Sequence, residues 1–328
     1  MKILFFIFFN CFQLFISYSG LDIKIKKICN EKKNIKVYEC ISNGRTGFAN
    51  QLLAFQYLLY KLKNECQDSS VNFLLTGPYS DHVSNNDVKL NFFDFFRIRT
   101  NEECENIISD FSRKTLCKQY ENLLKKITFI DKNTIKNENT TIKLVGYYCM
   151  PWKHHSIIGR KLHCKNQSIK DMLFFFEIFE FNNYIFKLGF KFMQLNNLRI
   201  NHYSALHFRG GDFSKRKLKN AYKSFSLASE IFNGLIKRNN INQKKFYMIQ
   251  SKEDIFGKKI FLSEEWLFNV TRIEHQKCIS CIKFTKILLD IFISSKSSYF
   301  VGNHYSTLTE IVISYGKLRS NAFNYSFY

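Results

Sequence analysis

The sequence predicts an α/β protein built on mostly parallel sheets, and three observations carry that prediction. Short apolar runs alternate with segments of helical periodicity along most of the 328 residues. The length suits two domains of about 150 residues each. The composition is 45% hydrophobic and 17% aromatic, with 13 Gly and only 2 Pro, so it can bury a sizeable core and excludes disordered, coiled-coil and collagen-like chains.

The elements follow in order. Lys36–Ile41 reads as a strand, Asn43–Gly47 as a Gly-containing loop, and Ala49–Leu62 as a helix with Leu52, Leu53, Phe55, Leu58, Leu59 and Leu62 on one face. Val71–Leu75 is a second strand, residues 102–126 read as helical, and Ile142–Tyr148 reads as a strand. In the second half Ile169–Leu195 reads as helical, and its Phe-rich part Met172–Phe192, which carries Glu177, Glu180, Lys187 and Lys191, as a buried amphipathic helix. Tyr203–Phe208 is a buried strand, Ser224–Ile236 a helix, Lys245–Gln250 a strand, and Thr285–Ile293 a helix ended by Asp290 and its neighbours. Ser298–Gly302 is a strand and Thr307–Tyr315 a helix. Strands alternating with helices in two halves predict a pair of Rossmann-like domains facing a cleft, 36–165 and 166–328. In such sheets ligands bind beyond the carboxyl ends of the strands, so the strand-to-helix junctions are where chemistry is expected.

The first nineteen residues read as a cleaved signal peptide or a short membrane anchor. Lys2 precedes the apolar run Ile3–Ile16, and Ser17-Tyr18-Ser19 has the small residues a signal peptidase needs. The run is shorter than the roughly 20 residues that span a bilayer comfortably. Residues 20–35 form a basic, solvated stem. Sequons at Asn139, Asn166, Asn269 and Asn324 agree with passage through the secretory lumen, either endoplasmic reticulum or Golgi. Nine Cys remain beyond Cys11, most of them expected as structural disulfides in an oxidising compartment. Cys278-Ile-Ser-Cys281 has redox or zinc spacing, but without a second such pair it reads as a structural bridge or buried thiols. The balance of 49 Lys+Arg against 27 Asp+Glu gives a net charge of +22 and implies an acidic partner. The charge is spread along the chain and the leader points to a lumen, so nucleic acid is not the partner expected.

Three junctions could carry chemistry. At Asn43-Gly44-Arg45-Thr46-Gly47 a strand gives way to a helix whose first N–H groups favour an anion, with Arg45 adding a cationic fork and Asn50 a donor. At His207-Phe208-Arg209-Gly210-Gly211-Asp212 a buried strand ends in an Arg that needs a charged partner or an anionic ligand. An Arg209–Asp212 salt bridge is the plainer alternative. At Phe300-Val301-Gly302-Asn303, followed by Ser306-Thr307-Leu308-Thr309, hydroxyls and N–H groups gather at a helix start and suit a phosphate, or simply cap the helix. Asp290 could accept the N–H donors of a guanine edge, or be a surface or capping carboxylate.

As an ordered set, these segments resemble the GDP-fucose-dependent fucosyltransferases. His207–Asp212 is similar to their HxRxxD-type motif, Asn43–Gln51 to the GRxGNQ segment, and Phe300–Thr309 to the FIGN…SSxT segment of protein O-fucosyltransferases. Two departures stand out: Phe48-Ala49 is inserted before Asn50, and Gln250-Ser251 replaces the usual Thr-Asp after the strand at 246–249. Val145–Trp152 is similar instead to a Gly-aromatic segment of alpha-1,2-fucosyltransferases.

The resemblance implies a GT-B-like fold and an inverting transfer of fucose from GDP-fucose to a hydroxyl. The acceptor would be Ser/Thr of a secreted protein domain or, in the alpha-1,2 reading, a glycan; an inactive sugar-nucleotide-binding homologue is a further alternative. It implies no cofactor and no essential metal, and the chain contains no Asp-x-Asp pair of the kind that holds Mn²⁺ on a diphosphate. It implies donor contacts from Arg45, Gly47, Asn50, His207, Arg209, Asp290, Ser306, Thr307 and Leu308. Arg209 would neutralise the departing diphosphate, and Asp212 or Glu310 would be the acceptor's base.

Overall fold

The computed structural model describes residues 37–38, 48–49, 52, 55, 59, 73–76, 94–107, 116–125, 127–130, 142–143, 173, 175–209, 225–239, 246–249, 259–261, 266–267, 279–304, 306–320 and 323–328. The leader, the stem, Arg45, Gly47, Asn50, Asp212, Cys278 and the sequons at Asn139, Asn166 and Asn269 lie outside them. The chain divides into two compact units, one of Met1–His155 with the short return Glu177–Glu180, the other of Ser156–Phe176 and Phe181–Tyr328.

In the first unit β1 (Val37–Tyr38) runs parallel to β5 (Ile142–Lys143), and β2 (Phe73–Thr76) parallel to β4 (Ile127–Ile130), with Leu75 opposite Phe129. Leu52, Phe55 and Leu59 are helical and buried, as their spacing predicts, and Phe48, just ahead of the helix expected, is helical and buried too. β3 (Phe96–Ile98) leads into α1 (Asn101–Ile107) through a capping box. The Thr100 hydroxyl accepts the Glu103 N–H at 3.2 Å, and the Glu103 carboxylate accepts the Thr100 N–H at 2.9 Å. The two guanidinium N–H arms of Arg97 reach the same carboxylate at 2.7 Å each and hold its pKa down at about 2. Cys104, fully buried on α1, is disulfide-bonded.

Of the helix expected over 102–126, the described residues show α1 and α2 (Leu116–Leu124), and 108–115 lie outside the described residues. One expectation is corrected here. The helix expected over Ile169–Leu195 is interrupted by a strand, β6 (Phe179–Phe181), which pairs with β3 and is buried at all three positions. Glu180 therefore lies on a buried strand, not on a helix. It forms an ion pair with Arg99 at 2.6 Å, and their side chains are 2% and 3% exposed. A buried charge requires a partner, and tertiary pairing overrides local periodicity.

The second unit begins with α3 (Asn183–Leu195) and is organised on a five-stranded parallel sheet. In chain order its elements are β7 (Ser204–His207), α4 (Phe225–Arg238), β8 (Phe246–Ile249), β9 (Lys259–Phe261), α5 (Ile279–Ser295), β10 (Tyr299–Gly302), α6 (Thr307–Arg319) and β11 (Asn324–Phe327). The strands lie in the order β11-β10-β7-β8-β9. The first strand is central, the next two extend to one side and the last two to the other, which is the doubly wound 3-2-1-4-5 arrangement. The α/β class read from the sequence is thus present, and this half has the Rossmann-like order expected of it.

Period-two alternation sends successive side chains of β7 and β10 to opposite faces. Leu206, Tyr299 and Val301 pack with Phe232 of α4 on one face. On the other side lies α5, in contact with α3, α6, β7 and β8. It is apolar nearly all round, with Leu288, Leu289, Ile291, Phe292 and Ile293 fully buried, as a core helix must be. Gly189 of α3 lets it come close: a Cβ there would stand 2.3 Å from the Phe292 ring. No helix among the described residues is long and apolar enough to cross a membrane.

Candidate functional site

The strand order reverses between β7 and β10, so the crevice beyond their carboxyl ends is the topological switch point of the second unit. Two of the three sequence junctions meet there. β7 ends at His207, which is fully buried. β10 ends at Gly302, and a tight turn, in which the Ser306 N–H is donated to the Asn303 carbonyl at 3.2 Å, delivers the chain into α6.

The link between the two is direct. His207 Nδ1 lies 2.9 Å from Thr309 Oγ1, across 102 residues of sequence. This contact depends on the absence of a side chain at Gly302, because a Cβ there would lie 2.3 Å from Thr309 Cγ2 and 2.7 Å from Oγ1. Gly302→Ala is therefore expected to push Thr309 off His207 and cost about 1–3 kcal/mol, as overpacking does; a denaturant titration reads it, and an unchanged midpoint would mean that α6 can move aside at no cost.

Around that link stand several of the residues singled out from the sequence. Asn303 is 1% exposed. Ser306 is the N-cap of α6, yet its side chain makes no capping hydrogen bond. Thr307 is half-buried and Leu308 buried at the first turn. Glu310, also in that turn, is buried at 1% exposure. The helix start offers backbone N–H groups and a partial positive charge at the crevice.

Arg209 is half-buried just past the end of β7. Its backbone N–H is donated to the Tyr328 hydroxyl at 2.9 Å, and that hydroxyl donates in turn to the His207 carbonyl at 2.9 Å. Burial pushes the Tyr328 phenol up to about 12, against the opposing pull of the Arg209 N–H, the Asn303 side chain and the Arg209 charge. Tyr328 was not anticipated from the sequence. The alternation of aromatic and small polar residues over Phe323-Asn324-Tyr325-Ser326-Phe327 is the strand signal that would have brought it to the sheet.

Asp290 requires a correction of place. α5 continues to Ser295, so Asp290 lies within the helix and not at its end, and it is 2% exposed. Its Oδ1 accepts the Tyr247 hydroxyl at 2.5 Å and its Oδ2 the Lys286 ammonium at 3.1 Å. Burial raises its pKa, with the Lys286 charge and both hydrogen bonds opposing. The carboxylate ties β8 to α5, and both oxygens are engaged inside the fold.

Among the described residues no cluster of three or more His, Cys, Asp or Glu side chains could hold a metal. Arg45, Gly47, Asn50 and Asp212, with the first junction's loop and the acidic end of the second, lie outside the described residues.

No protein-family profile matches the chain, and no curated protein is similar to it in sequence. Solved structures are similar to it in fold. A POFUT1 crystal structure in complex with GDP is 12% identical, with 90% of this chain and 98% of that chain covered and a TM-score of 0.48. POFUT1 in complex with GDP-fucose gives 12%, 90%, 99% and 0.47. The fucosyltransferase NodZ from Bradyrhizobium gives 11%, 85%, 92% and 0.41.

Proposed function

We propose that this chain transfers fucose from GDP-fucose to an acceptor hydroxyl, with inversion and without a metal, and that the acceptor is Ser/Thr of a secreted protein domain. The observation that carries the reading is the convergence of the His207–Arg209 and Gly302–Thr309 segments at the switch point of one parallel sheet, joined by His207 and Thr309. Those segments are the two described ones that resemble the family's motifs.

In this reading the N-terminus of α6, with Ser306, Thr307 and Leu308, receives the diphosphate through backbone N–H groups and hydroxyls. The half-buried Arg209 guanidinium pairs with phosphate oxygens and draws off the charge that builds as the fucose–oxygen bond breaks. His207, its Nδ1 held by Thr309, positions the donor. Arg45, Gly47 and Asn50 supply further donor contacts. Asp212 or Glu310 takes the acceptor proton as the hydroxyl attacks the opposite face of an oxocarbenium-like sugar. Asp290, engaged by Tyr247 and Lys286, enters as a structural carboxylate. The buried, disulfide-bonded Cys104 supports the secretory lumen, in the endoplasmic reticulum or Golgi, as the place of work.

The test is to incubate the purified chain with GDP-fucose, GDP-mannose and UDP-sugars, with and without EDTA, and to measure nucleotide release and acceptor labelling. Release from GDP-fucose alone, unaffected by EDTA, with label on a folded disulfide-rich domain, is the expected result. Label on a galactose-terminated glycan would move the acceptor to the alpha-1,2 reading. Preference for a UDP-sugar, or GDP binding with no turnover, would defeat the proposal.

A further inference from the structure

We propose that Tyr328 is a positioning residue that fixes the peptide from which Arg209 reaches the donor diphosphate. The proposal rests on the fucosyl-transfer reading above, since it concerns how that reading's central cation is aimed.

The geometry is a clamp across three strand ends. The Tyr328 N–H is donated to the Gly302 carbonyl at 3.1 Å, and its carbonyl accepts the His304 N–H at 3.2 Å, so its backbone is stitched to the end of β10. Its ring packs on the cluster of Leu206, Tyr299, Val301 and Phe232. From there the side chain passes the carboxyl end of β10 to reach β7, the next strand over. Its hydroxyl accepts the Arg209 N–H and donates to the His207 carbonyl, both at 2.9 Å.

Those two backbone groups flank the point at which β7 leaves the sheet. His207 is the last residue of the strand, and its neighbour on β8 in the ladder is Ile249. Beyond it the chain no longer has the ladder to hold it, and a buried backbone group needs a partner from elsewhere. One phenol supplies both bonds and so holds the peptide that carries Arg209. Burial pushes the phenol up to about 12, so it remains a donor to the His207 carbonyl across the range in which enzymes work.

The experiment uses the full chain with Tyr328→Phe, which keeps the ring and its packing and removes only the hydroxyl. Two readouts are taken: hydrogen exchange of the Arg209 amide, and kcat and KM for GDP-fucose. Exchange at Arg209 is expected to quicken at least tenfold. kcat is expected to fall about 10- to 100-fold with KM changed less than threefold, as for a contact realised in the transition state. In an Arg209→Lys background Tyr328→Phe should cost little more, since both act on one cation. Tyr328→p-aminophenylalanine, which restores a donor, should recover part of kcat. Should Tyr328→Phe unfold, the p-aminophenylalanine variant carries both measurements instead, and wild-type exchange at Arg209 as fast as in an open loop would overturn the clamp. If the wild type turns over and the variant keeps its kcat, the proposal is wrong while the transferase reading stands. If the wild type turns over no donor, the transferase reading has failed, and unchanged exchange at Arg209 in the variant overturns the clamp separately.

Discussion

On the proposed reading Arg209→Ala abolishes fucose transfer while the protein stays folded, because it removes the cation at the end of β7. Loss of one preorganised group that stabilises developing negative charge typically costs on the order of 10²- to 10³-fold in kcat, and a full cation facing a diphosphate belongs at the upper end. Arg209→Lys should fail nearly as badly, because an ammonium cannot reproduce the planar two-pronged fork. Stability should change little, since the guanidinium is half-buried and the Arg209 backbone bond to Tyr328 survives either substitution. Steady-state kinetics with GDP-fucose, alongside a thermal melt, separate the two effects. Near-normal kcat in Arg209→Ala would remove the mechanism outright, whatever the acceptor.

The largest effect expected on stability lies in the first unit. Arg99 and Glu180 meet at 2.6 Å with side chains 3% and 2% exposed. Arg99→Met leaves the Glu180 carboxylate buried without its cation, which costs about 3–5 kcal/mol. Replacing both, as Arg99→Met with Glu180→Leu, should recover most of that loss, because an apolar pair of similar volume is often neutral or better. Chemical denaturation of the single and double variants is the check. A single variant within about 1 kcal/mol of wild type would mean that water or relaxation reaches the pair.

The second unit was readable from its sequence because its strands are short, apolar and separated by clean helical repeats. Tyr203–Phe208, Lys245–Gln250 and Ser298–Gly302 each correspond to a strand of the sheet within a residue or two. The ends of β7 and β10, at His207 and Gly302, were legible because the apolar runs stop there. What escaped was decided by tertiary contact. β6 reads as helix because Phe-rich windows fit either period, and only the ion pair with Arg99 explains a Glu at its centre. Asp290 looked like a helix-end carboxylate because the length of α5 is set by burial, not by a cap. Tyr328 was invisible because its role comes from lying two strands away from β7, and strand order is not written locally.

That strand order also has a temporal consequence. β7 is the centre of its sheet, but one of its two neighbours, β10, is encoded about a hundred residues later. At roughly 5–20 residues per second of synthesis, the nascent chain would wait several seconds with one flank of β7 unpaired. An uncovered edge of this kind invites pairing with foreign strands. Production of this protein should therefore respond more strongly to chaperones than its final packing would suggest, and slowing translation beyond residue 207 should lower the yield of soluble product.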